Sequence, residues 1–173
     1  MAKRSPQAKV GILMGSDSDL DIMREAEKRL DYFGIPYETR ILSAHRTPDK
    51  AAKYAATAQQ RGLEVIIAGA GAAAHLAGAI AANTTLPVIG IPIDSSSLKG
   101  LDALLATVQM PAGIPVATMA IGKAGAANAG IFAAQIVAHS DSKVAARLAN
   151  FKKEMAASVE DRDRKLQGAQ RSG

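Results

Sequence analysis

The chain contains no cysteine. Disulfide staples, thiolate nucleophiles and cysteine-ligated metals are therefore all excluded. Tryptophan is absent too, and aromatic residues make up only 3% of a sequence that is 48% hydrophobic. The core must then be built from Ala, Val, Ile, Leu and Met, a set that suits helices packed closely on a sheet. No apolar run reaches the ~18 residues a membrane span requires. The N-terminus is polar and lacks the apolar centre of a secretory signal. A net charge of +5 would suggest nucleic acid if the basic residues formed a stripe interleaved with aromatics. Instead, much of the excess sits in "MAKRSPQAK" and "RDRKLQGAQRSG", which read as solvated tails, so no nucleic-acid partner is expected. These absences leave a soluble cytoplasmic protein as the expectation, with no membrane association.

What is present is alternation. "VGILMG" reads as a buried strand, and "SDLDIMREAEKRLDYFG" as a helix carrying Leu20, Met23, Leu30 and Phe33 on one stripe, with Gly34 ending it. "YETRIL" alternates like a strand. "TPDKAAKYAATAQQRG" predicts a helix with Thr47 as N-cap and Pro48 at its first position, closing on Gly62. Strand, helix, strand, helix and a last strand follow in "EVIIAGAG", "AAAHLAGAIAAN", "PVIGIP", "GLDALLATVQM" and "PVATMAIG", and two helices close the chain. At 173 residues the length fits one domain. We place it at 10–166, including the C-terminal helix, between a basic tail at 1–9 and a second tail at 167–173.

Apolar strands without clean alternation, each followed by a helix, indicate a parallel sheet covered on both faces. About five strands joined by right-handed crossovers give a flavodoxin-like three-layer α/β/α sandwich with a doubly wound sheet. Such sheets bind ligands beyond the carboxyl ends of their strands, where the strand order switches. "GSDSD", "SAHR" and "AGAGAAAH" follow the first three strands, so all three should line one crevice.

Each segment has a chemical and a structural meaning. In "MGSDSD", backbone N–H groups and the hydroxyls of Ser16 and Ser18 can hold a phosphate, yet the same residues serve equally as a helix cap with Asp19 in its first turn. The Gly-x-Gly-x-x-Gly spacing and the P-loop lysine are both missing, which argues against dinucleotides and nucleoside triphosphates. In "SAHR", His45 can exchange a proton near neutral pH, and Arg46 offers a planar donor fork for phosphate or carboxylate. "AGAGAAAHLAG" supplies a loop almost without side chains before His75, against which a flat ligand can lie; several of its Gly and Ala residues also serve close helix–sheet packing. His139 is assigned no role, and metal-ligand spacing is absent.

Taken in order, "GSDSD", "SAHRTP", "AGAGAAAHLAG" and "VQMPAGIPVATMAIGKAGAANAG" resemble the class I N5-carboxyaminoimidazole ribonucleotide mutases of bacterial purine biosynthesis, from about Val10 to His139. The resemblance implies a homo-octamer with sites shared between neighbouring subunits. It implies transfer of the carboxyl group of a nucleotide substrate from N5 to C4 of its imidazole, without ATP, metal or organic cofactor. It further implies His45 as general acid/base; Ser16, Asp19 and Arg46 around phosphate and ribose, with Ser18 as a further phosphate contact; and Ser43 and His75 near the base and the migrating carboxyl. Two positions depart from the family pattern: Leu20, where an aromatic is common, and Ala77, where proline is common.

The alternatives are a class II carboxylase, which carboxylates aminoimidazole ribonucleotide directly with CO2, and a non-enzymatic flavodoxin-like module. "SAHRTP" favours class I, since the class II counterpart of Arg46 is commonly lysine. A phospho-receiver needs an acceptor aspartate ending the third strand, where Ala68 and Gly69 stand. A flavin carrier stacks its ring on aromatics, which this sequence barely has.

Overall fold

A computed structural model describes residues 7–171. In chain order the elements are β1 (Val10–Met14), α1 (Leu20–Phe33), β2 (Tyr37–Ile41), α2 (Pro48–Ala58), β3 (Val65–Gly71), α3 (Leu76–Ala81), β4 (Val88–Ile93), α4 (Leu101–Val108), β5 (Ala117–Thr118), α5 (Lys123–Ala138) and α6 (Ser142–Arg171). The strands form one sheet in the order β2-β1-β3-β4-β5, every neighbouring pair parallel. This is the flavodoxin-like arrangement, and its switch point lies between β1 and β3.

The strands follow from their side chains. All residues of β1 and β4 are buried, as befits central strands covered on both faces. Edge strand β2 is only half-buried. On one face, Val10, Ile12 and Met14 of β1 pack with Val65, Ile67, Ile89 and Ile91 under α1, α5 and α6. On the other, Leu13, Ile66, Ala68 and Val88 pack under α2 and α3. The scarce aromatics gather where α6 docks on α1: Phe33 and Phe151 meet edge-on with ring centroids 5.5 Å apart. Arg147 of α6 also donates to the Phe33 carbonyl (2.6 Å), satisfying an otherwise free acceptor at the end of α1.

Several expectations need correction at their edges. The last strand is only two residues long, because the chain pairs with β4 at Ile89 and Gly90 and then leaves the ladder. The helix read from "AAAHLAGAIAAN" starts only at Leu76. Thr47 stands at the N-cap position of α2, yet its hydroxyl turns back to the Ser43 carbonyl (3.1 Å) and makes no cap bond. Residues 1–6 of the expected N-terminal tail lie outside the described residues. Lys9 is held by Glu64 (3.2 Å) and Asp141 (3.3 Å). Helix α6 continues through 167 to Arg171, and residues 172–173 lie outside the description. Among the described residues no helix is long and apolar enough to cross a membrane.

Candidate active site

The chain segments that leave β1, β2 and β3 meet at one edge of the sheet around a crevice of about 290 Å3. Its walls include Ser16, Ser18, Asp19, Ser43, His45 and Arg46.

The first wall comes from the turn before α1. Ser16 caps a single 3₁₀ turn, Asp17–Asp19: its hydroxyl oxygen accepts from the Ser18 N–H (3.3 Å), while Asp19 Oδ2 accepts from the Ser16 N–H (3.2 Å). This reciprocal pair is a capping box. The structural meaning of "GSDSD" is therefore realised, and it aims the same residues at the crevice. Asp19 is only 6% exposed. Burial pushes its carboxyl above the ordinary carboxylate range, against the hydrogen bonds from Ser16 and Ser18, and the charge of Asp17 adds to the rise.

The second wall is a knot of local hydrogen bonds. Ser43 Oγ accepts from the Arg46 N–H (3.1 Å), and Thr47 Oγ1 accepts from the Ser43 N–H (3.0 Å). These bonds fold residues 43–47 back on themselves and carry His45 and Arg46 outward, both exposed at the rim. Ser43 keeps its hydroxyl proton available, because in this turn it acts as acceptor. Among the described residues the Arg46 guanidinium forms no ion pair, which leaves its donor fork open to an anion.

The third wall is nearly all backbone. Ala70, Gly71, Ala72 and Ala73 line it, and Ala72 adopts a left-handed conformation with φ of 50°. A non-glycine residue in that region carries local strain. The strained turn delivers His75 to His45: His45 Nε2 lies 2.9 Å from His75 Nδ1, with the rings edge-on at 74°. His75 is exposed and reaches the crevice through its contact with the lining residue His45.

Sequence reasoning missed one polar lining residue, Ser95, from the segment after β4. A signal existed: "DSSS" follows the fourth strand, and the rule that places ligands beyond strand ends applies to that strand as well. Gly71 has to be small because a Cβ there would collide with the Ser95 side chain and approach the Ile93 carbonyl at 3.1 Å. No described group of three or more His, Cys, Asp or Glu residues is placed to hold a metal ion.

Fold and crevice together define a class: a flavodoxin-like α/β protein whose switch point carries hydroxyls, a carboxyl, a guanidinium and a pair of imidazoles. A family model described as AIR carboxylase matches residues 9–158. The chain is 57% identical over 151 residues to the N5-carboxyaminoimidazole ribonucleotide mutase of Vibrio vulnificus, covering 87% of this chain and 94% of that protein. It is 52% identical over 167 residues to the protein of the same name from Pyrococcus horikoshii, covering 96% and 93% respectively. The crystal structure of Treponema denticola PurE superposes with a TM-score of 0.80 at 29% identity, over 91% of this chain and 97% of that one. The chain belongs to the AIR carboxylase family.

Proposed function

We propose that this protein is an N5-carboxyaminoimidazole ribonucleotide mutase, an isomerase of purine biosynthesis that yields 4-carboxyaminoimidazole ribonucleotide. The observation that carries the reading is the meeting of "GSDSD", "SAHR" and the Gly/Ala loop around one imidazole, in a chain more than half identical to proteins of that name. The relatives' name also favours a mutase over a direct carboxylase within the family.

The chemistry asks for one proton donor that returns to its starting state. His45, as imidazolium, protonates N5; the N5–carboxyl bond breaks and CO2 is held in the crevice. The electron-rich C4 of the aminoimidazole then bonds to that CO2, and neutral His45 removes the C4 proton, which restores the aromatic ring and the imidazolium. One proton enters, one leaves, and the carboxyl carbon changes partner. Neither ATP nor a metal nor an organic cofactor is called for by these steps. Ser16, Ser18, Asp19 and Arg46 hold phosphate and ribose, and Ser43 and, through its contact with His45, His75 stand near the base and the migrating carboxyl. Their task is positioning, which keeps CO2 next to C4.

The protein works in this reading as a homo-octamer in the cytoplasm. Leu98, Leu101, Leu105 and Val108 support self-association: they run along α4 and its approach while 60, 53, 50 and 47% exposed, a stripe that a second subunit would cover. Light scattering on the eluting protein should give the mass of eight chains.

The decisive assay uses metal-free protein without ATP. Synthetic N5-carboxylated nucleotide should convert to the C4-carboxylated product, whereas unmodified nucleotide with bicarbonate should convert poorly. The reverse preference would make the protein a direct carboxylase. Turnover of neither would end the reading.

A further inference from the structure

Two imidazoles are in contact at the crevice: His45, which lines it, and His75, whose Nδ1 lies 2.9 Å from His45 Nε2. We propose that His75 is a positioning residue that fixes the tautomer of His45, so that His45 Nδ1 is the atom exchanging protons with the substrate. The proposal rests on the reading of His45 as general acid/base and names the nitrogen and the partner that make it work.

A neutral imidazole carries one N–H and one lone pair, and the hydrogen bond made by one ring nitrogen decides the state of the other. Nε2 of His45 is committed to Nδ1 of His75 at 2.9 Å. When His75 accepts in that bond, neutral His45 holds its proton on Nε2 and keeps the Nδ1 lone pair for the C4 proton. When His45 is imidazolium, the same Nε2–H remains on His75, and Nδ1–H is presented to N5. One nitrogen then gives and takes, and the bond between the rings persists through the whole cycle. With His75 as donor the logic fails. Neutral His45 would carry its proton on Nδ1 and could not take another from C4, and the imidazolium would set N–H against N–H. Only the accepting role serves both halves of the reaction.

The surroundings suit this role. His75 must then hold its own proton on Nε2, and the residue is solvent-exposed, so water can accept from that N–H. Its backbone is pinned: the His75 N–H donates to the Ala73 carbonyl (2.8 Å), and its carbonyl accepts from Ala79 (2.9 Å) at the start of α3. Leu76, Ala77 and Ile80 anchor that helix in the core. A buried aspartate plays the corresponding part for the histidine of serine hydrolases; here the acceptor is neutral.

The first test needs no substrate. In ligand-free protein with 15N-labelled histidine, at a pH where both rings are neutral, His45 should show a protonated Nε2 and a bare Nδ1. His75→Ala should convert this into a mixture of the two tautomers. A protonated Nδ1 on His45 in the unsubstituted protein would overturn the proposal. Kinetically, His75→Ala should lower kcat about 10- to 100-fold, a fraction of the ~10²–10⁴-fold that positioned proton transfer provides, with KM within about twofold. His75→Asn, whose side-chain carbonyl can reach the Nδ1 position, should restore part of the loss. A raised KM at unchanged kcat would make His75 a substrate contact and refute the positioning role. If instead His45→Asn turned over normally, the parent reading would fail while the tautomer measurement stood on its own.

Discussion

The two helical layers of this sandwich use the same small residues for different ends. On one face α5 presents Ala126, Ala129, Ala133 and Ala134 to Met23, Ala26, Leu30 and Phe33 of α1, all of them fully buried. The two backbones come so close that a Cβ on Gly130 would sit 2.7 Å from the Ala26 carbonyl oxygen. On the other face α2 and α3 also bury alanines, Ala51, Ala55, Ala58 and Ala77, yet that cluster is smaller and is bordered by a polar group of Glu38, Tyr54 and Arg61. The turn before α1, from the tightly packed layer, contributes two of the hydroxyls, Ser16 and Ser18, and the Asp19 carboxyl of the crevice. The turns before α2 and α3, from the thinner layer, contribute both imidazoles. The crevice is thus built from both sides of the sheet: the capping-box residues come from one, and Arg46 with the two imidazoles from the other.

The largest expected effect tests the claim that chemistry depends on the thinner layer. His45→Asn should cost ~10²–10⁴-fold in kcat while leaving the melting temperature close to that of the parent chain, because His45 is exposed and bears no core contact. Near-normal turnover would remove the catalytic half of the comparison. The mirror-image substitution is Gly130→Val. It forces side-chain atoms against the Ala26 backbone and the Arg29 side chain and should destabilise by about 2–3 kcal/mol, read by denaturant unfolding, with kcat of the remaining folded protein unchanged. A neutral effect on stability would mean that α5 can shift away from α1 without cost, and the tight layer would not be tight.

The difference between the layers also explains what could be read in the sequence. Runs such as "VGILM" and "VIIAGAG" announce buried strands, and the glycines at 34 and 62 end helices in left-handed backbone, at φ of 65° and 89°. Order and type of the elements were legible for that reason. So was the meeting of Ser16, Asp19, Ser43, His45 and Arg46 in one crevice, because parallel topology sends every strand end to the same edge. Contacts between side chains of distant segments were not legible. The bond between His45 and His75 joins residues thirty positions apart, and no periodicity encodes it. Thr47 illustrates a local failure: N-cap preference favours its hydroxyl on α2, but the Ser43 backbone groups are nearer and win the bond. Ser95 follows the fourth strand in "DSSS", a run of small polar residues that carries no titratable side chain except Asp94 to mark it as part of a site.

The thinner layer carries an acid-sensitive carboxylate, Glu38, whose effect is of moderate size. Burial alone would raise its carboxyl, but the hydrogen bonds from Arg61 and Tyr54, with the charges of Arg61 and Arg40, outweigh burial and hold it below the ordinary carboxylate range. A depressed carboxylate binds fewer protons folded than unfolded. Its stabilisation is therefore present above the unfolded value of ~4.3 and is lost as pH falls through the folded value. Arg61 is partly exposed, so solvent screening limits the gain to about 1 kcal/mol at neutral pH. Glu38→Gln should be less stable than the parent at pH 7 by about that amount, and the two unfolding curves should converge on acidification. A constant gap at all pH values would mean that the Glu38 carboxyl is not held below its ordinary range.

The smallest effect concerns the loop between β3 and α3 at the crevice. Ala72 holds φ at 50°, where a Cβ crowds its own carbonyl at a cost of ~1–2 kcal/mol, and glycine would remove that strain. Glycine also widens the unfolded ensemble, at a cost of ~0.5–1 kcal/mol. The two terms oppose each other, and strain relief is the larger. Ala72→Gly should therefore raise stability by a few tenths of a kcal/mol, up to about 1. The same change frees the turn that presents His75 to His45, so kcat should fall modestly while the protein becomes harder to unfold. Loss of stability in this variant would mean that the turn is not strained. Unchanged kcat alongside a stability gain would mean that α3 alone, without the rigidity of residue 72, is enough to hold the two rings together.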